Sequence, residues 1–288
     1  MSAIPAKPVL RYHGAKFRLA PWIVGFFPPH RCYVEPYGGA AGVLIQKTRA
    51  YAEIYNDIDD DIVNVFRILR DPALGTQLLD QLRLTPYARS EFKNAYLTTD
   101  DPLERARRTL VRAGMGFGSA GATKGSTGFR IDTRRKYGTA QQIWAQYPET
   151  LAPIIQRLTG VMIENRPALD LLSQHDSEET LFFIDPPYLL DTRQMQRGQH
   201  GYYRHEMTDA QHIDMLQALK KVKGMVVLSG YPSALYDQHL EGWTRHTTTA
   251  RIAAGRGAGI RQECAWLNPL CATALDAQDT ALFSRHSM

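Results

Sequence analysis

The sequence predicts an α/β fold, an open and mostly parallel sheet interrupted by a helical insertion. Three observations predict it. The run Leu181-Phe182-Phe183-Ile184 is wholly apolar and stops at Asp185-Pro186-Pro187, the pattern of a strand buried on both faces. Residues Tyr33 to Leu44 read as a strand, a glycine-rich turn and a helix start. Between Asp61 and Gly160 no alternating pattern occurs, and apolar residues recur at helical spacing.

Taken in order, Tyr33-Val34-Glu35 leads into Pro36-Tyr37-Gly38-Gly39-Ala40-Ala41-Gly42. Glycines there permit positive φ and close approach of a ligand to the backbone, although their spacing is not the G-x-G-x-x-G dinucleotide fingerprint. Ala52 to Asp57 reads as a second strand ending in an acid. Asp57 suits either a ribose or adenine contact or the negatively charged start of a helix. Asp59 and Asp60 cap a helix with Ile62, Val63, Phe66 and Leu69 on its apolar face. Leu103, Ala106, Leu110 and Val111 repeat that spacing and leave Arg105, Arg107, Arg108 and Arg112 largely exposed. A glycine-rich loop, Gly114–Gly121, and a hairpin or extended arm, Gly125–Asp132, follow. The sheet resumes with Val161–Ile163, Leu181–Ile184 and Met225–Leu228, and Thr208 with Gln211 forms a capping box before Ile213, Leu216 and Leu219. Arg251–Arg261 reads as a surface loop, with a hairpin tip near phosphates as the alternative. These elements divide the chain into a discontinuous α/β domain, 1–60 and 160–288, and a helical domain, 61–159.

Composition narrows the function. A chain of 288 residues, 44% hydrophobic, buries a sizeable core. Its apolar runs are too short to span a bilayer, and its start carries no secretory apolar segment. A cytoplasmic protein is expected. Cys32, Cys264 and Cys271 form an odd set without metal-ligand spacing, and the histidines are scattered, so neither a disulfide framework nor a metal is expected. From Asp101 to Ala140 nine basic residues face three acids, a net +6 against +5 for the whole chain, which leaves −1 elsewhere. So local an excess is the footprint of a nucleic acid on a larger body. Arg105, Arg108, Arg112, Lys124, Arg130, Arg134, Arg135 and Lys136 are the candidate DNA contacts, with Arg134 or Arg135 favoured to read a base.

Asp185-Pro186-Pro187-Tyr188 emerges at the carboxyl end of a central strand, where open α/β sheets place ligands. The prolines stiffen the turn and remove donors. The Asp185 carboxylate and the Pro186 carbonyl are then acceptors, and Tyr188 can stack on a flat ring. Two acceptors drawing on an exocyclic amino group pyramidalise its nitrogen and free its lone pair for in-line attack.

With Tyr12 and Lys16 of Tyr12-His13-Gly14-Ala15-Lys16, Val34 to Gly39, Asn56-Asp57, Asp185 to Tyr188 and the closing Asn268-Pro269, the chain resembles the Dam-type (alpha group) DNA adenine-N(6) methyltransferases. The motifs occur in that family's order over about residues 8 to 270. Tyrosine stands where tryptophan is commoner in the first motif, and its spacer lacks a double glycine. The resemblance implies a seven-stranded Rossmann-like sheet and S-adenosyl-L-methionine as cofactor. It implies cofactor contacts at Tyr12, Lys16, Glu35, Pro36, Gly38, Gly39, Asp57 and Asp185, and catalytic roles for Asp185, Pro186, Pro187 and Tyr188. It also implies a base flipped out of double-stranded DNA, the helical insertion as target-recognition domain, and a bacterial or phage restriction-modification setting. RNA adenine methylation and a non-catalytic DNA-binding regulator are the alternatives. Target sequence and oligomeric state are not specified by these motifs.

Overall fold

The computed structural model describes residues 5–123, 127–131, 138–193, 202–254 and 257–286. The first half contains α1 (Ala20–Val24), β1 (Cys32–Glu35), β2 (Ala52–Asn56), α2 (Asp60–Arg70), α3 (Pro72–Leu84), α4 (Arg89–Asn94) and α5 (Pro102–Met115). Then come α6 (Ala140–Ala145), α7 (Tyr147–Leu158), β3 (Met162–Glu164), α8 (Ala168–Gln174) and β4 (Thr180–Ile184). The chain closes with α9 (Asp209–Leu219), β5 (Met225–Gly230), α10 (Ala234–His239), β6 (Thr244–Ala254), β7 (Gly257–Leu267) and α11 (Pro269–His286).

The strands form one seven-stranded sheet in the order β3-β2-β1-β4-β5-β7-β6. The first five are parallel, and β7 runs antiparallel to β5 and β6. The order reverses between β1 and β4, so the carboxyl ends of β1, β2 and β4 open on one edge, the ligand edge of such sheets.

Strand periodicity explains the unbroken apolar run of β4. Leu181 and Phe183 enter one buried cluster with helices α2, α3, α5 and α7, while Phe182 and Ile184 enter a second with α8, α9 and α10. Alternate side chains serve opposite faces, so a strand covered on both must be apolar throughout. The first cluster also joins sheet to insertion, because Tyr33, Tyr55 and Phe183 share it with Leu78, Leu110 and Ile154.

Local signals set the helix starts. Asp59, Asp71 and Asp101 accept first-turn N–H groups of α2, α3 and α5, and Pro72 and Pro102 occupy positions that need no donor. The expected capping box at Thr208 and Gln211 is present.

Two segments differ from expectation. The helix expected after Gly42 is a run of turns with scattered bonds from Ile45 to Ala41 and Lys47 to Val43. Ala41 sits at φ 52°, outside the right-handed helical region, and Gly42 abuts the Phe17 backbone, so the chain cannot coil regularly there. The extended arm folds back. Gly116 bridges Phe129, and Phe129 packs against Tyr87 and Phe92 at ring separations of 5.0 and 5.7 Å. Lys124, Arg134, Arg135, Lys136 and parts of the expected arm lie outside the described residues.

Candidate active site

A cavity of about 590 Å³ opens at the carboxyl edge of β1, β2 and β4. Its lining includes Tyr12, Lys16, Glu35, Pro36, Gly38, Gly39, Asp57, Asp185 and Pro187. Side chains drawn from positions far apart in sequence thus meet because three parallel strands end together.

Asp57 follows β2 and spans two elements. Its Oδ2 accepts the Gly39 N–H at 2.8 Å and its Oδ1 the Asp59 N–H at 2.8 Å. Asp59, not Asp57, is the cap of α2. Burial raises the Asp57 carboxyl to about 6 against the pull of those two backbone donors. Glu35 ends β1, where it accepts from the Tyr33 hydroxyl at 2.7 Å and the Leu44 N–H at 3.1 Å. Burial raises it further, to about 8. Gly39 occupies φ 48°, a conformation glycine adopts without penalty. A Cβ on Gly38 would meet the Tyr55 ring at 2.2 Å.

Asp185 lies one residue beyond β4. Lys16 Nζ stands 3.0 Å from its Oδ1, and the Ser229 hydroxyl donates to the same oxygen at 2.5 Å. Both partners occupy Oδ1, which leaves Oδ2 for another donor. Burial alone would lower the Lys16 ammonium, but the Asp185 and Glu263 carboxylates outweigh it and raise the group above its ordinary value. Lys16 also sits 4.5 Å from the centre of the Tyr188 ring. Tyr188 is buried; its hydroxyl donates to Glu263 at 2.9 Å and lies 3.1 Å from Ser229 Oγ. Tyr231 meets its ring edge-on, centroids 4.6 Å apart.

A further wall comes from the polar segment that follows the Asp185–Tyr188 turn. Residues 203–207 line the cavity, held there by Arg204 on Asp59 and Asp61 at 3.0 and 2.9 Å and by the Tyr203 hydroxyl on the His13 carbonyl. Arg193 grips Glu206 with one nitrogen, at 2.8 and 3.1 Å, and donates to the Tyr188 carbonyl with another. Ser229 and Glu263 carry no assignment at the level of sequence because each acts across strands, where local sequence spacing is silent. The one available signal was Glu263, an acid immediately before the apolar run Cys264–Leu267.

The arginines of α5 are less open than their helical positions imply. Arg105, Arg108 and Arg112 side chains are 33%, 19% and 14% exposed, and Arg107 is similarly covered. Acids account for it, with Asp60 taking Arg105, Glu104 taking Arg107 and Arg108, and Asp61 taking Arg112. Arg130 is only 4% exposed, because Phe129 draws the arm inward and the Arg130 N–H bonds the Met115 carbonyl. Among the described residues no helix is long and apolar enough to cross a membrane, and no three metal-ligating side chains gather.

None of the curated proteins matches the chain. A family model does, the D12 class N6 adenine-specific DNA methyltransferases, over residues 12–246. That span runs from Tyr12 at the cavity wall through Asp185 to the first residues of β6. With a seven-stranded sheet and an Asp-Pro-Pro-Tyr turn at its ligand edge, the chain belongs to the D12 class of N6 adenine-specific DNA methyltransferases.

Proposed function

We propose that the protein transfers a methyl group from S-adenosyl-L-methionine to the N6 amino group of an adenine flipped out of double-stranded DNA. The observation that carries this reading is Asp185, a carboxylate at the cavity wall whose two described partners share one oxygen. The cofactor fits the donor set of the cavity. It brings an ammonium, ribose hydroxyls and an adenine amine, all donors, to a wall rich in carboxyl oxygens, those of Glu35, Asp57 and Asp59. The glycine turn keeps Cβ atoms off the wall at Gly38 and Gly39. When bound, the cofactor supplies an electrophilic methyl group on a sulfonium that is its own leaving group.

The remaining work falls to the chain. Tyr12, Lys16, Glu35, Pro36, Gly38, Gly39 and Asp57 hold the cofactor, with Asp57 and Glu35 as acceptors. Lys16 fixes the Asp185 carboxyl from one side, and Asp185 with the Pro186 carbonyl accepts from the target amino group. Pro186 and Pro187 fix that geometry, and Tyr188 borders the ring. A base inside a duplex cannot reach these groups, so it is extruded, and rate arises from orientation in the cavity. The helical segment 61–159 is the target-recognition domain. Arg105, Arg108 and Arg112 hold phosphates by exchanging their acidic partners for the DNA backbone, and Lys124, Arg130, Arg134, Arg135 and Lys136 are the further DNA contacts proposed from the basic charge of this stretch of sequence. The setting is the cytoplasm.

The test is expression in a host without DNA methylation, followed by single-molecule sequencing of its DNA. N6-methyladenine should appear at one sequence motif and vanish with Asp185→Ala. Methylation of RNA alone would redirect the reading. Absence of methyl transfer despite cofactor and duplex binding would make the chain a non-catalytic binder.

A further inference from the structure

Methyl transfer leaves one surplus proton, and a chain of hydroxyls behind Asp185 gives it an exit. We propose that Glu263 is the terminal acceptor of a relay, Asp185–Ser229–Tyr188–Glu263, that drains the proton lost by the target amino group. The proposal rests on the methyltransferase reading of this site. Its geometry is continuous. Ser229 Oγ lies 2.5 Å from Asp185 Oδ1, Tyr188 Oη lies 3.1 Å from Ser229 Oγ, and Glu263 Oε2 lies 2.9 Å from Tyr188 Oη. Every link is held by the sheet. Asp185 and Tyr188 follow β4, Ser229 lies in β5, and Glu263 lies in β7, which pairs with β5.

The atoms balance as follows. The N–CH₃ bond forms as the S–CH₃ bond breaks, and the amino nitrogen becomes cationic. One N–H bond then breaks, its electron pair stays on nitrogen, and the proton passes to the Asp185 carboxylate. A half-turn of that carboxyl, a soft torsion, brings its O–H to Ser229 Oγ. Ser229 has a single hydrogen, which points to Asp185 at rest. Once Asp185 is itself the donor, that hydrogen swings to Tyr188 Oη, and the Tyr188 proton moves to Glu263 Oε2. Asp185 ends as a carboxylate, Ser229 and Tyr188 are unchanged, and Glu263 is a neutral acid.

Direction comes from the surroundings. Lys16 Nζ lies 3.0 Å from Asp185 Oδ1, at the end of the chain where the proton enters. Glu263 is buried, and burial raises its carboxyl above the ordinary range against the opposing pull of Lys16 and the Tyr188 hydrogen bond. The titratable groups facing it are Lys16, Asp185, Tyr188, Tyr231 and Cys264. Glu263 touches no substrate; it is a positioning residue for the proton.

The test is single-turnover methyl transfer to an adenine duplex across pH, with Glu263→Gln, Glu263→Asp, Ser229→Ala and Ser229→Thr. Cofactor and duplex affinities are measured on each. In the parent, the rate should rise with pH along a limb above the ordinary carboxylate range. Glu263→Gln should slow transfer about a hundredfold, the lower scale of acid–base catalysis, abolish that limb and leave both affinities within about twofold. Glu263→Asp and Ser229→Thr should recover rate, and Ser229→Ala should not. Infrared titration of the free protein supplies a readout besides turnover, since a protonated-carboxyl band should be lost in Glu263→Gln. If Glu263→Gln is unstable, the Ser229 pair carries the same test without altering charge. Full rate with an unchanged limb in Glu263→Gln, or in Ser229→Ala, overturns the relay and leaves the methyltransferase reading intact. A parent that binds both ligands without transferring methyl overturns both.

Discussion

Asp57→Asn separates a cofactor contact from a structural brace, because the Asp57 carboxyl titrates at about 6. One unit above that value the group is roughly nine-tenths ionised, and one unit below roughly one-tenth. Hydroxyl donors of a bound cofactor favour the carboxylate, so affinity for S-adenosyl-L-methionine should fall up to about tenfold between those pH values. In Asp57→Asn that dependence should disappear, and affinity near neutral pH should drop roughly tenfold, the worth of one hydrogen bond to a charged group. Stability moves separately. The folded value of about 6 lies above the ordinary 3.8, so the native state holds the proton more tightly. That contribution is complete at low pH and is lost as pH rises from 3.8 to about 6, by up to about 3 kcal/mol. The asparagine variant should lack the slope and lose roughly 1–3 kcal/mol at low pH, because its amide cannot accept from both Gly39 and Asp59. Calorimetric titration of cofactor across pH, beside denaturant unfolding, measures both. Glu35 titrates near 8, so its influence falls above the Asp57 window. Equal cofactor affinity of parent and variant at every pH, with only the stability slope changed, would refute the contact and leave the brace.

The other expectations are direct. Asp185→Ala should reduce methyl transfer below a few per cent of the parent, and should lower stability by roughly 3–5 kcal/mol because the buried Lys16 ammonium loses its carboxylate; retention of rate would remove Asp185 from the chemistry. Gly38→Ala should weaken cofactor binding and destabilise the fold, since its Cβ would meet the Tyr55 ring at 2.2 Å and the Asn56 carbonyl at 2.9 Å; parental melting and affinity would show that the turn yields. Arg105→Ala should weaken binding to all duplex sequences alike and flatten the salt dependence by about one unit; an unchanged slope would leave Arg105 as the partner of Asp60 alone.

Legibility in the sequence followed distance along the chain. Leu181–Ile184 announced a central strand because burial on two faces forbids polar residues, and both faces of β4 are indeed covered. Asp59 marked the start of α2 because caps act within three residues, and Asp71 and Asp101 cap α3 and α5 by the same local rule. The cavity wall was legible wherever a residue sits at a strand end, as Glu35, Asp57 and Asp185 do. Glu263 and Ser229 were not, because their meeting with Tyr188 depends on the antiparallel register of β7 against β5. The α5 arginines misled for a related reason: helical spacing gives the face of a side chain, while Asp60 and Asp61 of α2 determine how much of it meets water.

The placement of β1 has a consequence for biosynthesis. Its two neighbours are β2, close by, and β4, whose Thr180 pairs with Cys32 from 148 positions away. A ribosome must therefore deliver the whole helical insertion before the central strand finds its second partner. Closing such a loop carries an entropic penalty that grows slowly with length, and non-local pairing of this kind slows folding. Until β4 emerges, the nascent chain presents β1 and β2 as a two-stranded ribbon, too small to stand alone. Helices α2, α3 and α5, which emerge next and bury part of the same cluster, shield that ribbon during the wait.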